Sequence, residues 1–272
     1  MDNPPRIWQS FAKYCLSGEM PMLPAERHAI ILKEVAQQPA ISIRALTEKL
    51  GASRETIRKD IEQLAGENKL NKVRGGATQI RTEEPAVEMR AATNPKGKAR
   101  IAQHVLDKIP NGASVIIDNG STTLAFARLL REFRTDLSVC TNDLTIAELL
   151  GPVTRELTIL GGRLDVKENA TFGSAAIENL SRFRAEFAVI GAGGLSGKAL
   201  FTDFSRDAAD LRHLMLEHAE HGFVLADSSK FSVVGQVVMR RFPASTTAVL
   251  DTEPPAEVMA ALLEKAVAFE IA

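Results

Sequence analysis

The stretch that most constrains this chain runs from Ser42 to Ala77. Ser42 is placed to cap a helix over Ile43 to Leu50, with Ile43, Leu46 and Leu50 on one side and Gly51 to end it. Ser53 is the expected N-cap of a second helix, in which Ile57, Ile61 and Leu64 fall at i, i+4 and i+7 as an apolar stripe. Glu55, Lys59 and Gln63 lie roughly opposite that stripe, and Arg58 flanks it. Leu70 to Arg74 then alternates apolar and polar residues as a half-buried strand does, and Gly75-Gly76 turns it. Lys72 and Arg74 share one face of that strand. Two short helices joined by a tight glycine turn form a helix-turn-helix, whose second helix enters the major groove of DNA.

Upstream, Pro24 to Gln37 carries Ile30, Ile31, Val35 and Ala36 on one side and reads as the first helix of the same unit, with Pro39 ending it. Ser53, Thr56, Arg58 and Lys59 are the expected groove contacts. Lys72 and Arg74 are expected to hold the wing to phosphate, and Arg44 and Lys49 to touch the DNA backbone. Arg54 and Gly75 complete the candidate DNA-binding set. A surface helix with solvated charges is the competing reading. The wing after the helix favours DNA.

Charge distribution agrees. The 272 residues sum to a formal charge of -1. Residues 24–80 hold 10 Lys and Arg against 7 Asp and Glu, whereas residues 81–272 hold 21 against 25. A basic front on an acidic rear suits a DNA head on a body with another task, because phosphate binding needs local charge. The two cysteines, Cys15 and Cys140, show no metal-ligand spacing, which points to a reduced, cytoplasmic protein. There is no apolar run of membrane-spanning length. Residues 1–23 lack the pattern of a secretory signal and form an N-terminal extension.

Residues 81–98, with Thr82-Glu83-Glu84-Pro85 and Asn94-Pro95-Lys96-Gly97-Lys98, read as a linker, in which a short helix over Glu88 to Ala92 is left open. From Ala99 the pattern changes: short apolar strands at Ser114–Asp118, Leu137–Cys140, Leu157–Leu160, Phe187–Ile190 and Phe223–Ala226, with later ones at Val237–Arg241 and Ala248–Leu250, alternate with amphipathic helices. Residues 99–272 are therefore expected to form an α/β domain with a mostly parallel sheet covered on both faces.

In such sheets ligands bind beyond the carboxyl ends of the strands. Those ends carry Asp118-Asn119-Gly120-Ser121-Thr122-Thr123, Thr141-Asn142-Asp143, Gly161-Gly162-Arg163, Gly191-Ala192-Gly193-Gly194 and Asp227-Ser228-Ser229-Lys230. Each alone is better explained by helix capping. Together they predict one pocket. Hydroxyls, open amides at a helix start and Lys230 suit a phosphate, and Asp118, Asn142 and Asp143 suit sugar hydroxyls.

The residues from Ile41 to Ala77, with SRETIRKDIEQL and KVRGGA among them, resemble the winged helix of the DeoR family of bacterial transcription regulators. That family usually carries Thr-Ile-Arg-Arg-Asp-Leu in the recognition helix and Arg-x-His-Gly-Gly-Ala in the wing. Here Lys59, Ile61, Lys72 and Arg74 replace Arg, Leu, Arg and His. DNGSTT, TND, GGR, GAGG and DSSKF, in that order, resemble the family's effector domain, which is similar in fold to ribose-5-phosphate isomerases. The resemblance implies a repressor of carbohydrate use whose DNA affinity is changed by a sugar phosphate. It further implies that Asp118, Gly120, Ser121, Thr122, Thr123, Asn142, Asp143, Gly162 and Lys230 line the effector site. The expected partners are operator DNA, the effector and further copies of the chain, with no cofactor and no catalytic residues. Many members carry a Lys-Arg pair where Leu211-Arg212 stands, a departure that would alter the effector.

Two other functions compete. A sugar-phosphate isomerase would use Asp118, Asp143, Asp203 or Asp207 as base and Lys230 as electrophile, but no spacing marks a catalytic pair. A dinucleotide site at Gly191-Ala192-Gly193-Gly194 lacks the third glycine of that fingerprint. A metal site at His213, His218 and His221 is disfavoured by their helical spacing, and no metal ligand is assigned.

Overall fold

The computed structural model describes residues 22–37, 41–67, 69–73, 75–78, 83–197, 199–231 and 233–272. Two compact units divide the chain, Met1–Ile80 and Arg81–Ala272. The extension at residues 1–23 lies almost wholly outside the described residues, as does Arg74.

The first unit contains α1 (Pro24–Gln37), β1 (Ile41–Ser42), α2 (Ile43–Leu50), α3 (Arg54–Gly66), β2 (Asn71–Val73) and β3 (Gly76–Thr78). Ser42 Oγ accepts from the Ala45 amide and Ser53 Oγ from the Thr56 amide, each at 3.1 Å, so both helices start where the caps were expected. Ile31, Val35, Leu46, Leu50, Ile57, Ile61, Leu64 and Leu70 meet in one core. The sheet order is β1-β3-β2 with antiparallel neighbours. β1 is too short for its alternation to show in sequence, and it exists because β3 supplies its hydrogen bonds.

Asp60 on α3 adds a polar tie that hydrophobic periodicity does not reveal. It is buried, lies 2.7 Å from Arg27 and 3.1 Å from His28 of α1, and so fixes α1 against α3. Burial works to raise its pKa, but the hydrogen bonds and charge of Arg27 and His28 outweigh it and hold the carboxyl low.

The stretch expected as a linker belongs to the second unit, which starts at Arg81, and the short helix left open within it is present. Residues 83–98 contain α4 (Val87–Ala92) and the first turn of α5 (Pro95–Leu106). Asn94, with φ 47, caps α5 by accepting from the Gly97 amide. Its side-chain nitrogen donates to Asp227, Ser228 and Asp251 at 2.8–3.1 Å. Lys98 is buried and pairs with buried Asp227 at 2.9 Å. The polar composition that suggested a solvated linker is satisfied by partners more than a hundred positions away, which local pattern cannot show.

The elements that follow are β4 (Ser114–Ile117), α6 (Ser121–Phe133), β5 (Leu137–Thr141), α7 (Leu144–Leu150) and β6 (Thr154–Ile159). Next come β7 (Arg163–Asp165), β8 (Ala170–Phe172), α8 (Ser174–Leu180), β9 (Ala185–Gly191), β10 (Gly194–Ser196) and β11 (Leu200–Asp203). The chain ends with α9 (Arg206–Glu217), β12 (Ala219–Ala226), β13 (Val237–Val238), β14 (Thr246–Leu250), α10 (Ala256–Glu264) and β15 (Ala268–Ile271). Seven strands form a sheet of order β15-β14-β12-β9-β4-β5-β6, and every neighbouring pair is parallel. Apolar clusters built around Val115, Phe126 and Val139 and around Ile116, Phe201 and Leu211 cover its two faces.

The chain winds outward from β4 through β5 to β6, then returns to β9 on the other side of β4 and winds through β12 to β15. Adjacent β4 and β9 therefore form a topological switch point, where the connections diverge and a crevice opens at the strand ends. The antiparallel pair β7-β8 and the strands β10 and β11 were not expected, whereas β13 falls at the start of the strand expected over Val237 to Arg241; all five are two to four residues long.

Candidate functional site

After β4 the chain passes Asp118 and Asn119, turns at Gly120 (φ 145) and enters α6. No side chain caps α6, so the amides of its first turn are open to a ligand. A pocket forms there, lined by Asn119, Gly120, Ser121, Thr122 and Thr123 after β4, by Gly191 and Ala192 at the end of β9, and by Arg212 and Lys230. Glu84 and Arg90 complete one wall.

Of the residues expected here, Gly120, Ser121, Thr122, Thr123 and Lys230 line the pocket. Asp118, Asn142, Asp143 and Gly162 do not, and each has another task. Asp118 Oδ2 accepts from Arg212 Nε at 2.6 Å and from the Gly191 amide at 3.1 Å. Asn142 Oδ1 accepts from the Asn119 amide, and its nitrogen donates to the Thr171 carbonyl, so it shapes the pocket floor from behind. Asp143 caps α7 by accepting from the Ile146 amide at 3.0 Å, and burial pushes its pKa up to about 6. Gly162 packs against the Phe172 carbonyl, 2.5 Å from where a Cβ would stand.

Three charged residues reach the pocket that strand-end reasoning did not assign. Arg212 is 3 % exposed and bonds both Asp118 and Asp203. Arg90, on α4, pairs with Glu84 at 3.2 Å and with Glu168, while its buried Nε has no partner. Glu84 Oε1 accepts from Lys230 Nζ at 2.8 Å. Arg90 and Glu84 were missed because residues 81–98 were read as linker. Leu211 is fully buried in the core and does not line the pocket, so the residue at that position bears on packing and not directly on a ligand.

In the first unit, Thr56, Arg58 and Lys59 are exposed or half-buried on α3, and Arg54 stands at its start. Ser53 is occupied as the cap, its hydroxyl also 2.8 Å from Thr56 Oγ1. Arg58 pairs with Glu55 within the helix, Lys72 with Glu62 and Arg44 with Glu48, all at exposed positions. Gly75 is exposed at the wing turn, where its carbonyl accepts from the Ile43 amide. Lys49 pairs with Glu34.

A winged helix-turn-helix joined to a doubly wound domain with an anion-suited pocket at its switch point defines a ligand-sensing DNA-binding regulator. Residues 27–83 match the DeoR-like helix-turn-helix domain, and residues 93–252 match the DeoR C terminal sensor domain. The chain belongs to the DeoR family of transcription regulators. It is 30% identical to the glycerol-3-phosphate regulon repressor of Escherichia coli (strain K12) over 92% of its own length and 100% of that protein. It is 28% identical to the HTH-type transcriptional repressor CsqR of the same organism, over 87% and 91% of the two chains. Among solved structures, ribose 5-phosphate isomerase A from Methanocaldococcus jannaschii overlaps 51% of this chain and 55% of its own, at 16% identity and a TM-score of 0.37.

Proposed function

We propose that this regulator is a cytoplasmic repressor of a carbohydrate-utilisation operon, released from or tightened on its operator by a sugar phosphate bound at the β4/β9 switch point. One observation carries the reading. Lys230, Arg90 and Arg212 converge with the uncapped start of α6 on a single pocket. Open helix amides and cationic donors recognise a phosphate by charge-assisted hydrogen bonds. The name of the E. coli relative, which refers to glycerol-3-phosphate, supports the same ligand class.

The protein acts without catalysis. An isomerase needs a carboxylate free to take a proton from its substrate. In the pocket, Glu84 is engaged by Lys230 and Arg90, and behind it Asp118 is engaged by Arg212. Ser53, Arg54, Thr56, Arg58 and Lys59 contact the operator groove, and Arg44, Lys72, Arg74 and Gly75 its backbone. The chain works as a homodimer or larger homo-oligomer, because such heads read paired half-sites.

The test is a thermal-shift screen of the full chain against sugar phosphates and their unphosphorylated parents. Millimolar ligand of micromolar affinity adds about 4 kcal/mol of stability. The expected hit is one phosphosugar whose parent is silent and which changes operator affinity. A hit that is equally strong with the parent sugar, or one that survives Thr122→Val and Lys230→Met, sinks the phosphate reading.

A further inference from the structure

The pocket is walled by the protein's own charged groups. The cavity among them is about 10 Å³, about what one water molecule needs. One of these groups is the carboxylate of Glu84, from the segment that precedes α4. Its Oε1 stands 2.8 Å from Lys230 Nζ and 3.2 Å from Arg90 Nη1. Its side chain is 14% exposed. The surrounding groups are those that would bind an anion from outside: an ammonium, a guanidinium and the start of α6.

We propose that Glu84 is a built-in anion that holds the effector's phosphate position, and that the effector binds by expelling it. The inference rests on the pocket being the effector site. Several observations support it independently of sequence resemblance. Lys230 has no other ion pair among the described residues, so removal of Glu84 leaves its ammonium open. Arg90 would keep only Glu168, and its Nε is already buried without a partner. Arg212 is held on its far side by Asp118 and Asp203, so its position does not depend on Glu84. Burial opposes the charge on Glu84, yet Lys230, Arg90 and Arg212 together hold its pKa down to about 2, as a bound anion would be held. A phosphomonoester brings more negative charge and more acceptor oxygens than a carboxylate, and so it can take over these partners.

Expulsion has a direct consequence for regulation. Glu84 follows the last residue of the first unit, Ile80, by a few positions. A ligand that displaces Glu84 therefore frees residues 83–86 at the start of the second unit. The internal competitor also lowers apparent affinity, because only the fraction of molecules with Glu84 out can bind.

The test uses the full chain, with inorganic phosphate as the probe, in calorimetric titrations of the parent, Glu84→Gln and Lys230→Met at neutral pH. The expected result is that Glu84→Gln binds phosphate about tenfold or more tightly than the parent, while Lys230→Met binds it far more weakly. In the parent, hydrogen exchange of the amides in 83–86 should rise on adding phosphate while that of the first turn of α6 falls. This second measurement needs no variant. Phosphate binding that depends on Lys230 but is unchanged or weakened by Glu84→Gln, with exchange in 83–86 unmoved, overturns the placeholder and leaves the pocket reading intact. Binding that ignores Lys230, or no binding by any of the three chains, overturns both.

Discussion

Arg212 Nε donates to Asp118 Oδ2 at 2.6 Å, and both side chains are closed to water. The pair joins the end of β4 to α9 directly behind the pocket, and Arg212 reaches on to Asp203 at the end of β11. A buried guanidinium shared by two carboxylates ties three separate segments, and one change can unbalance all of them.

Replacing Arg212 by Met leaves two buried carboxylates without a counter-charge. Loss of one partner of a buried pair costs about 3–5 kcal/mol. The denaturant midpoint of the C-terminal unit should fall accordingly, and adding Asp118→Asn and Asp203→Asn should recover much of the loss. A single substitution costing under about 1 kcal/mol would show that the charges are not buried as described.

Asp143 gives a pH signature. Its folded pKa is raised by burial from 3.8 to about 6, so between those values the folded chain holds a proton that the unfolded chain has released. By linkage, its contribution is most favourable below about pH 4 and is lost as pH rises through 6. The penalty at neutral pH is on the order of 3 kcal/mol, from about 1.4 kcal/mol per pKa unit. Asparagine caps a helix as well as aspartate does. Asp143→Asn should therefore gain stability over the parent from pH 4 to pH 6 and hold that advantage above it. Equal unfolding curves across this range would contradict the assignment.

Lys98 and Asp227 form a second buried pair, at 2.9 Å, under the loop that carries Lys230. Lys98→Met should destabilise the C-terminal unit by about 3–5 kcal/mol. It should also weaken ligand binding, because the loop from Asp227 to Lys230 loses its anchor. Full ligand affinity in a folded Lys98→Met chain would separate the two effects and refute the second.

The proposed DNA interface assigns Arg58 to the groove and Lys72 to the backbone. Arg58→Ala should cost about 1–3 kcal/mol on the preferred operator and relax the preference at one base pair. Lys72→Ala should weaken all sequences alike and reduce the slope of log affinity against log salt by about one. Titrations at several salt concentrations distinguish them; identical slopes for the parent and Lys72→Ala would remove the wing from the interface.

Much of the fold is legible in the chain as written. The caps at Ser42 and Ser53, the stripe of Ile57, Ile61 and Leu64, and the five apolar strands from Ser114 to Ala226 are short-range patterns. They are visible because helix and strand impose fixed periods on whatever faces a core. The placement of Ser121, Thr122, Thr123 and Lys230 at one pocket was also accessible, since an open α/β sheet forms its crevice at the strand ends.

Tertiary structure alone decided which polar residues line the pocket. Asp118, Asn142 and Asp143 sit at the expected strand ends, yet their hydrogen-bonding capacity goes to Arg212, to Asn119 and to the start of α7. Arg90 and Glu84 come from a stretch that reads as solvated linker, and each finds its partners 78 and 146 positions away. Periodicity tells which side of an element is apolar. It carries no record of which charges pair across the sheet, because that choice depends on strand order. Here it follows from the return of the chain to β9 beside β4.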